Sequence, residues 1–579
     1  MLRRSEVSNQ REGPSDDHAR APRARGRSIS TRLALLALLP LLGALAGLDV
    51  LFNLGYPAPE PPGWYLAPSL DALAILALAA LAARRGRRLP PWVLASVGIL
   101  VVAVRLLRLG DGITQRYFNR PLSLALDLPT TFELVRLLDA TLPRAQLIAG
   151  VPLALGLLVG LAWLAARLVR AAERALAEPR ARYLLAGLAT ATALASLALP
   201  APPDGPARDR RWGAFGASVF PRLAREIAFA LRLDDYRAAR AAEIAATDAH
   251  LRALPHDLAK LGGADVLLFF IEAYGATVID RPEQARLIAP VFQAAQARLE
   301  RAGFTVATGL LDSRTYAGRS WLAHETLLTG VRADNRIADE LAQAARPAGL
   351  AELIGRAGYR TVFAQPANRY RSVVRWAYGF DAVYSGWDFD YRGPGFRWAN
   401  QPDQYTLDFM HRREVAPTPR RPLLLAYALQ SSHAPWSDQP RLVEDWSRIG
   451  DGSIYQTLPA EHFDISWTTL ASGGPAYVRS LAYDLELLAD YLTRRLAGEA
   501  LVIVLGDHQP VGEVTAFSPS YAVPIHVLSR RRALVEPFLA RGYLPGMRPR
   551  RGSTPPAGME TFLPGLLVDF SASHAAAPP

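Results

Sequence analysis

The sequence predicts two parts: an N-terminal bundle of five transmembrane helices, followed by an external α/β domain whose largely parallel sheet is covered by helices. Three observations predict this. Five apolar stretches lie before about residue 200, nearly all of the net charge falls between them, and from residue 264 short apolar runs alternate with helical segments. The chain has 579 residues, a formal charge of +12 and no cysteine. That length fits three or four domains. The missing cysteines exclude disulfide scaffolds, zinc ribbons and cysteine nucleophiles.

Residues 1–32 are polar and rich in Arg, Ser and Pro, and read as a disordered basic cytoplasmic tail. The tail is too long for a signal peptide, and no small-residue cleavage site follows the first apolar stretch. The transmembrane domain covers 33–200, with spans near 33–54, 65–83, 92–108, 146–169 and 183–200, each close to the roughly 20 residues a helix needs to cross a bilayer. Neither the first nor the fourth carries the polar stripe of a helix packed on a soluble core. A buried bundle in a soluble protein is the competing reading of the same runs.

Charge sets the orientation. Residues 1–32, the run Arg84 to Arg88, and residues 167–182 carry +4, +4 and +3, which is +11 of the total +12. Short arginine-rich loops stay on the cytoplasmic side. Five crossings with the N-terminus inside place everything after residue 200 outside, so the chain is a multi-pass protein of the cell (inner) membrane with a periplasmic or extracellular domain. The charge therefore reports topology and not nucleic acid. Lys260 is the sole lysine, as a GC-rich coding bias would give. Residues 127–142, DLPTTFELVRLLDATL, read as an amphipathic helix on the outer membrane surface.

Residues 201–262 form a Pro-rich linker and juxtamembrane helices, 263–545 the external domain, and 546–579 a Pro-, Arg- and Ala-rich tail. Three runs, ADVLLFFIEAYG, RPLLLAYALQSSH and ALVIVLGDHQ, each read as a buried strand running into a loop. Ligands bind such sheets at the carboxyl ends of the strands. Glu272, His433, Asp507 and His508 all fall there.

Two carboxylates and an imidazole at adjacent strand ends suit one divalent metal ion, Mn, Mg or Zn. A third segment, DSRTYAGRSWLAHETLLTGVR from Asp312 to Arg332, sets Ser320 at the start of a helical run. A nucleophile there gains from the positive end of the helix dipole; the alternative is an ordinary helix cap. The aromatic and acidic stretch from Tyr378 to Leu407 is a candidate acceptor pocket, with Trp398, Asp403 and Gln404 as contacts; filling the core is its alternative. His324 is a candidate substrate or metal-supporting contact.

These motifs resemble the sulfatases of the alkaline phosphatase superfamily. Members carry a strand ending in acidic metal ligands, a nucleophile followed nine and ten residues later by Thr-Gly, an H-x-P segment and a late D-H pair. Here Ser320 is followed by Thr329 and Gly330, His433-Ala434-Pro435 supplies the H-x-P, and Gly506-Asp507-His508 the late pair, over about residues 264–530. Within that superfamily the chain is most similar to the lipoteichoic acid synthase and phosphoethanolamine transferase group, which has five membrane helices before an external catalytic domain. The resemblance implies that Glu272, Ser320, Asp507 and His508 hold one metal, that Ser320 is the nucleophile, and that His433 contacts the phosphate or leaving group.

Three departures refine this. The synthases use Thr where Ser320 stands. Leu322 and His324 break the motif that directs formylglycine formation in true sulfatases. Glu272 is single where a sulfatase has an acidic pair, which favours one metal. The implied function is a membrane-anchored transferase that moves a phosphoryl-linked head group from a phospholipid donor to an external glycan or lipid acceptor. Arg314, Arg319 and Arg375 are candidates to bind the phosphate oxygens. A sulfatase or phosphodiesterase using water, and a non-catalytic membrane sensor or scaffold, remain as alternatives.

Overall fold

The computed structural model describes residues 38–53, 68–130, 144–198, 219–368, 377–396, 401–436, 438–463 and 474–572. The basic tail, most of the external segment 127–142, Arg375 and Trp398 lie outside the described residues.

Helices stand at all five apolar stretches: α1 (Leu39–Asn53), α2 (Leu70–Arg84), α3 (Pro91–Phe118), α4 (Arg144–Ala175) and α5 (Pro179–Ala198). Two contain runs long and apolar enough to cross a membrane, Pro91–Gln115 and Ile148–Ala175. At 1.5 Å per residue these are about 38 and 42 Å long against a hydrocarbon core of about 30 Å. In α4 the apolar side chains have little over them, with Ile148 75% and Leu153 76% exposed. Such a surface is costly in water and suited to lipid, so the pair fits a membrane anchor. The 15 residues of α1 and of α2 reach only about 22 Å each, and α5 opens on Arg180 and Arg182. Among the described residues, therefore, two helices meet the length and composition of a span.

One buried charge of the anchor is paired, as an apolar setting favours: Arg108 lies 2.6 Å from Asp71. Two further helices, α6 (Phe220–Leu231) and α7 (Leu233–Ala253), lead to the C-terminal α/β domain. There α7 is tied down by Asn335 Nδ2 donating to Tyr236 (2.7 Å) and by Arg240 beside Asp334 (2.9 Å).

Among the described residues, the C-terminal α/β domain is built on a nine-stranded sheet, beside which Asp438–Gln439 and Glu461–His462 form a separate two-stranded ladder. In chain order its elements are β1 (Asp265–Ile271), α8 (Pro282–Arg301), β2 (Thr305–Asp312), α9 (Ser320–Thr329), α10 (Arg336–Ala345), α11 (Leu350–Arg356), β3 (Arg360–Gln365), β4 (Ala382–Ser385), α12 (Asp403–Met410), β5 (Leu423–Ala428), α13 (Gly474–Arg494), β6 (Ala500–Gly506), β7 (Ala522–Ser529), β8 (Leu544–Pro545), β9 (Ala557–Gly558) and α14 (Phe562–Phe570). The strand order is β8-β2-β7-β6-β1-β5-β3-β4, with β9 also on β2. From β6 to β4 every pairing is parallel, whereas β7 runs antiparallel to both its neighbours.

The expected largely parallel sheet is present because β1 and β6 are apolar at nearly every position and buried along their whole length. Leu267 and Phe269 face a core shared with α8 and α13, and Val266, Leu268 and Phe270 face one shared with α9, α11 and α14. The expected tail 546–579 is corrected in part. Residues 562–570, FLPGLLVDF, form α14, and Leu563, Leu566, Leu567 and Phe570 join the second core. The surrounding Pro and Arg hide this short apolar run when the segment is read by composition.

Candidate active site

Four loops meet at the carboxyl ends of the parallel strands. Ile271 of β1 is in register with Gly506 of β6, which brings the residues that follow, Glu272 and Asp507, side by side. Gly506 is needed for this approach: a Cβ there would lie 1.9 Å from the carbonyl oxygen of Tyr274. Ser313, just past β2, donates from Oγ to the Asp507 carbonyl (2.5 Å). Farther on, Ala317, Gly318 and Arg319 take φ of 55°, 137° and 59° in succession and deliver Ser320 as the first residue of α9. Each non-glycine residue held in this left-handed region costs on the order of 1 kcal/mol, so the turn is held by its surroundings.

Ser320 does not cap its own helix. Its Oγ donates to Glu272 Oε2 (2.9 Å) and lies 3.2 Å from His508 Nε2, so the hydroxyl faces the carboxylate and imidazole. Asp507 and His508 are 1% and 2% exposed. Asp507 Oδ1 accepts the backbone N–H groups of Ala273 and His508, both at 2.7 Å. His508 Nδ1 faces the Gln509 carbonyl at 2.8 Å, which leaves Nε2 pointing at Glu272 Oε1, 3.3 Å away.

Electrostatically the trio is short of positive charge. Burial would raise Glu272, but the hydrogen bond and charge of His508 hold it below the usual carboxylate range. Burial raises Asp507, and the adjacent Glu272 charge adds to this. Burial would lower His508, but Asp507 and Glu272 raise it above an ordinary imidazole. In this arrangement a proton supplies the balancing charge that a divalent cation would supply.

The residues fit a metal ion. Glu272, Asp507 and His508 present ligand atoms within 4.8 Å of one another, the sole such group found among the described residues. Asp507 Oδ2 is buried with no hydrogen-bond partner, and His508 already has the carbonyl partner that orients a ligating imidazole. Oxygen and nitrogen donors with an adjacent hydroxyl suit a divalent ion of the zinc, manganese or magnesium kind.

The remaining candidates divide. His433 stands near the trio, as Ser432 Oγ beside it donates to the Glu272 carbonyl (2.7 Å). His324 Nε2 lies 3.8 Å from Asp507 Oδ2, and burial lowers its pKa to about 4, so the ring is neutral. Arg314 is bound to Glu560 (3.0 Å) and Asp312 (3.3 Å). With Arg120, Arg319 and Arg332 it lines a cavity of about 350 Å³.

Asp403 and Gln404 follow the core-filling alternative. Both are fully buried. Asp403 accepts the N–H groups of Gln430 (2.9 Å) and Ser431 (2.6 Å), and so props the loop that carries His433. The Gln404 amide is bonded to the backbone of Val443. An acid whose oxygen is satisfied by backbone N–H groups can sit in a core, and sequence alone does not show that satisfaction. Missed altogether were Gln509, whose Oε1 accepts from Thr277 N–H (3.2 Å), and Asp127, which lies 3.2 Å from Arg319. The D-H-Q run held a signal for the first; nothing local marks the second.

A mostly parallel sheet whose strand ends set a helix-initiating serine against Glu, Asp and His is what the motif resemblance implies. Solved structures similar to the chain include the lipoteichoic acid synthase LtaP of Listeria monocytogenes, with 13% identity and a TM-score of 0.33 over 53% of this chain and 72% of that one. The phosphoglycerol transferase GacH of Streptococcus pyogenes, in complex with sn-glycerol-1-phosphate, gives 13% and 0.34 over 58% and 93%. The periplasmic domain of the phosphoethanolamine transferase EptC of Campylobacter jejuni gives 14% and 0.34 over 53% and 89%. No protein-family model and no curated protein matches the chain. Likeness of this size says nothing about substrate.

Proposed function

We propose that the chain is a membrane-anchored, metal-dependent transferase. It would move a phosphoryl-linked head group, of the phosphoglycerol or phosphoethanolamine type, from a phospholipid to an external glycan or lipid through a phospho-serine at Ser320. The observation that carries this reading is the Ser320 hydroxyl at the N-terminus of α9, 2.9 Å from Glu272 and 3.2 Å from His508. In this reading Glu272, Asp507, His508 and Ser320 hold the ion, which supplies positive charge to the phosphoryl group and lowers the pKa of the serine hydroxyl.

The chain's own residues do the rest. Glu272 Oε2 accepts the Oγ hydrogen bond, orients the serine lone pair and is the first acceptor of its proton. As the Ser320 Oγ–P bond forms, the bond from phosphorus to the diacylglycerol oxygen breaks, and His433 protonates the departing oxygen. The acceptor hydroxyl then attacks the phospho-serine and gives its proton to His433, while Ser320 leaves and recovers its own from Glu272. The N–H groups opening α9 favour the anionic phosphoryl group.

The same proposal takes all five helices as crossings with the N-terminus inside. It is supported by the charge pattern and by the loop after α3, where the Asn119 carbonyl accepts from Tyr521 of the external domain (3.2 Å). Membranes incubated with head-group-labelled phosphatidylglycerol or phosphatidylethanolamine test the function. Label should pass to an acceptor and appear transiently on the Ser320 peptide, and Ser320→Ala should abolish both. Equal transfer by the two proteins would refute the nucleophile, and release of label to water alone would make the protein a hydrolase.

A further inference from the structure

The turn that delivers Ser320 is held from two sides, and one of them belongs to the membrane-anchored half of the chain. On the first side, Ala317 N–H donates to the Gln509 carbonyl (2.9 Å), and Tyr316 bridges to the same residue. On the second, Arg319 Nη2 lies 3.2 Å from Asp127 Oδ1, 192 residues earlier in the chain.

Asp127 closes a single helical turn, Leu124–Asp127, a few residues beyond α3. It is 8% exposed. Arg120 donates to both of its oxygens (2.7 and 2.9 Å), and Ser123 N–H donates to Oδ2 (2.9 Å). Burial would raise its pKa, but Arg120 and Arg319 hold it below the usual range, so the side chain is a carboxylate. A second link runs in parallel: the Asn119 carbonyl accepts from Tyr521, whose ring meets Tyr316 edge-on at 5.5 Å.

The segment is also fixed to the anchor. Leu124 N–H donates to Glu226 of α6 (2.7 Å), Glu226 pairs with Arg222 (2.6 Å), and Arg222 lies 3.5 Å from Asp111 of α3. Residues 119–127 thus touch the anchor on one side and the nucleophile turn on the other.

Three successive left-handed residues, two of them not glycine, do not hold that conformation by local preference. Misplacing a reacting group by about 1 Å can cost up to about a hundredfold in rate. We propose that Asp127 is a positioning residue for Ser320: the anchored segment grips Arg319, fixes the 317–319 turn, and makes alignment of the nucleophile depend on the membrane half of the protein. This rests on the reading of Ser320 as nucleophile, and Asp127 itself touches neither substrate nor metal.

The test uses the full-length protein in nanodiscs of phosphatidylglycerol and phosphatidylethanolamine with labelled head groups, comparing Asp127→Asn, Asp127→Glu and Ser320→Ala. Asp127→Asn keeps the size and removes the charge. It should lower kcat and the single-turnover rate of Ser320 labelling about tenfold, with KM within about twofold and with Tm and bound metal unchanged. Asp127→Glu should restore most of the rate. An unchanged kcat for Asp127→Asn overturns the proposal, as does a fall that tracks an equal loss of Tm or metal, which would make the pair a fold support only. Transfer surviving in Ser320→Ala would overturn the nucleophile reading instead. An inactive Ser320→Ala beside a normal Asp127→Asn would overturn this inference alone.

Discussion

Gly506→Ala tests whether the pinch between β1 and β6 builds the site. A Cβ at this position would sit 1.9 Å from the Tyr274 carbonyl oxygen, 2.8 Å from its carbon and 3.0 Å from its Cβ. A carbon–oxygen contact needs about 3.3 Å, so the strand ends must separate by about 1.4 Å. The nearest obstacle is backbone, so no side-chain rotation relieves it. Overpacking of this kind costs about 1–3 kcal/mol. The same movement spreads Glu272 from Asp507, which follow the paired residues Ile271 and Gly506. A shift of about 1 Å in catalytic groups is worth up to about a hundredfold in rate. Thermal unfolding should therefore show a lower Tm, equilibrium dialysis weaker zinc or manganese binding, and head-group transfer a loss of ten- to a hundredfold. Normal metal affinity with a Tm within about 2 °C of the wild type would refute the reasoning, because a domain of this size shifts about 2–4 °C per kcal/mol.

Two further substitutions isolate single terms. Asp507→Asn keeps an oxygen for the N–H groups of Ala273 and His508 but replaces Oδ2 with a donor, so metal affinity should fall by at least about ten- to a hundredfold with no loss of Tm in the metal-free protein; unchanged stoichiometric binding would remove Asp507 from the ligand set. Glu325, buried in α9, has its pKa raised from 4.5 to about 10 by burial and then by Asp339. The folded state therefore binds this proton more tightly than the unfolded chain does. Its contribution is fully present below about pH 4.5 and is lost as pH rises toward 10, at up to about 1.4 kcal/mol per pH unit. Glu325→Gln should raise Tm more at pH 8 than at pH 5, and parallel Tm–pH curves for the two proteins would refute the assignment.

What was legible in the sequence was whatever a short window encodes. The runs around Glu272 and Asp507 read as buried strands because a parallel strand covered on both faces has no polar alternation. Their ends then located the trio before any contact was known. The same window left Asp403 and Gln404 between a pocket and the core, because only the backbone partners at 430 and 431 show how a buried Asp403 is satisfied. It also dismissed residues 562–570, whose apolar side chains matter only once the Phe538 region supplies a surface to cover. For the membrane part, apolarity marked five helices, while among the described residues length and composition single out two as long enough to span.

The sequence by itself determined the helical anchor, the α/β class and the residue types at the strand ends, since hydrophobic periodicity and turn chemistry are local properties. Only the tertiary structure decided that Ser320 faces Glu272 and His508 instead of capping its helix, and that Asp127 reaches Arg319. These are contacts across 48, 188 and 192 residues. Strand register and helix docking fix such distances, and neither is written in any one segment of the chain.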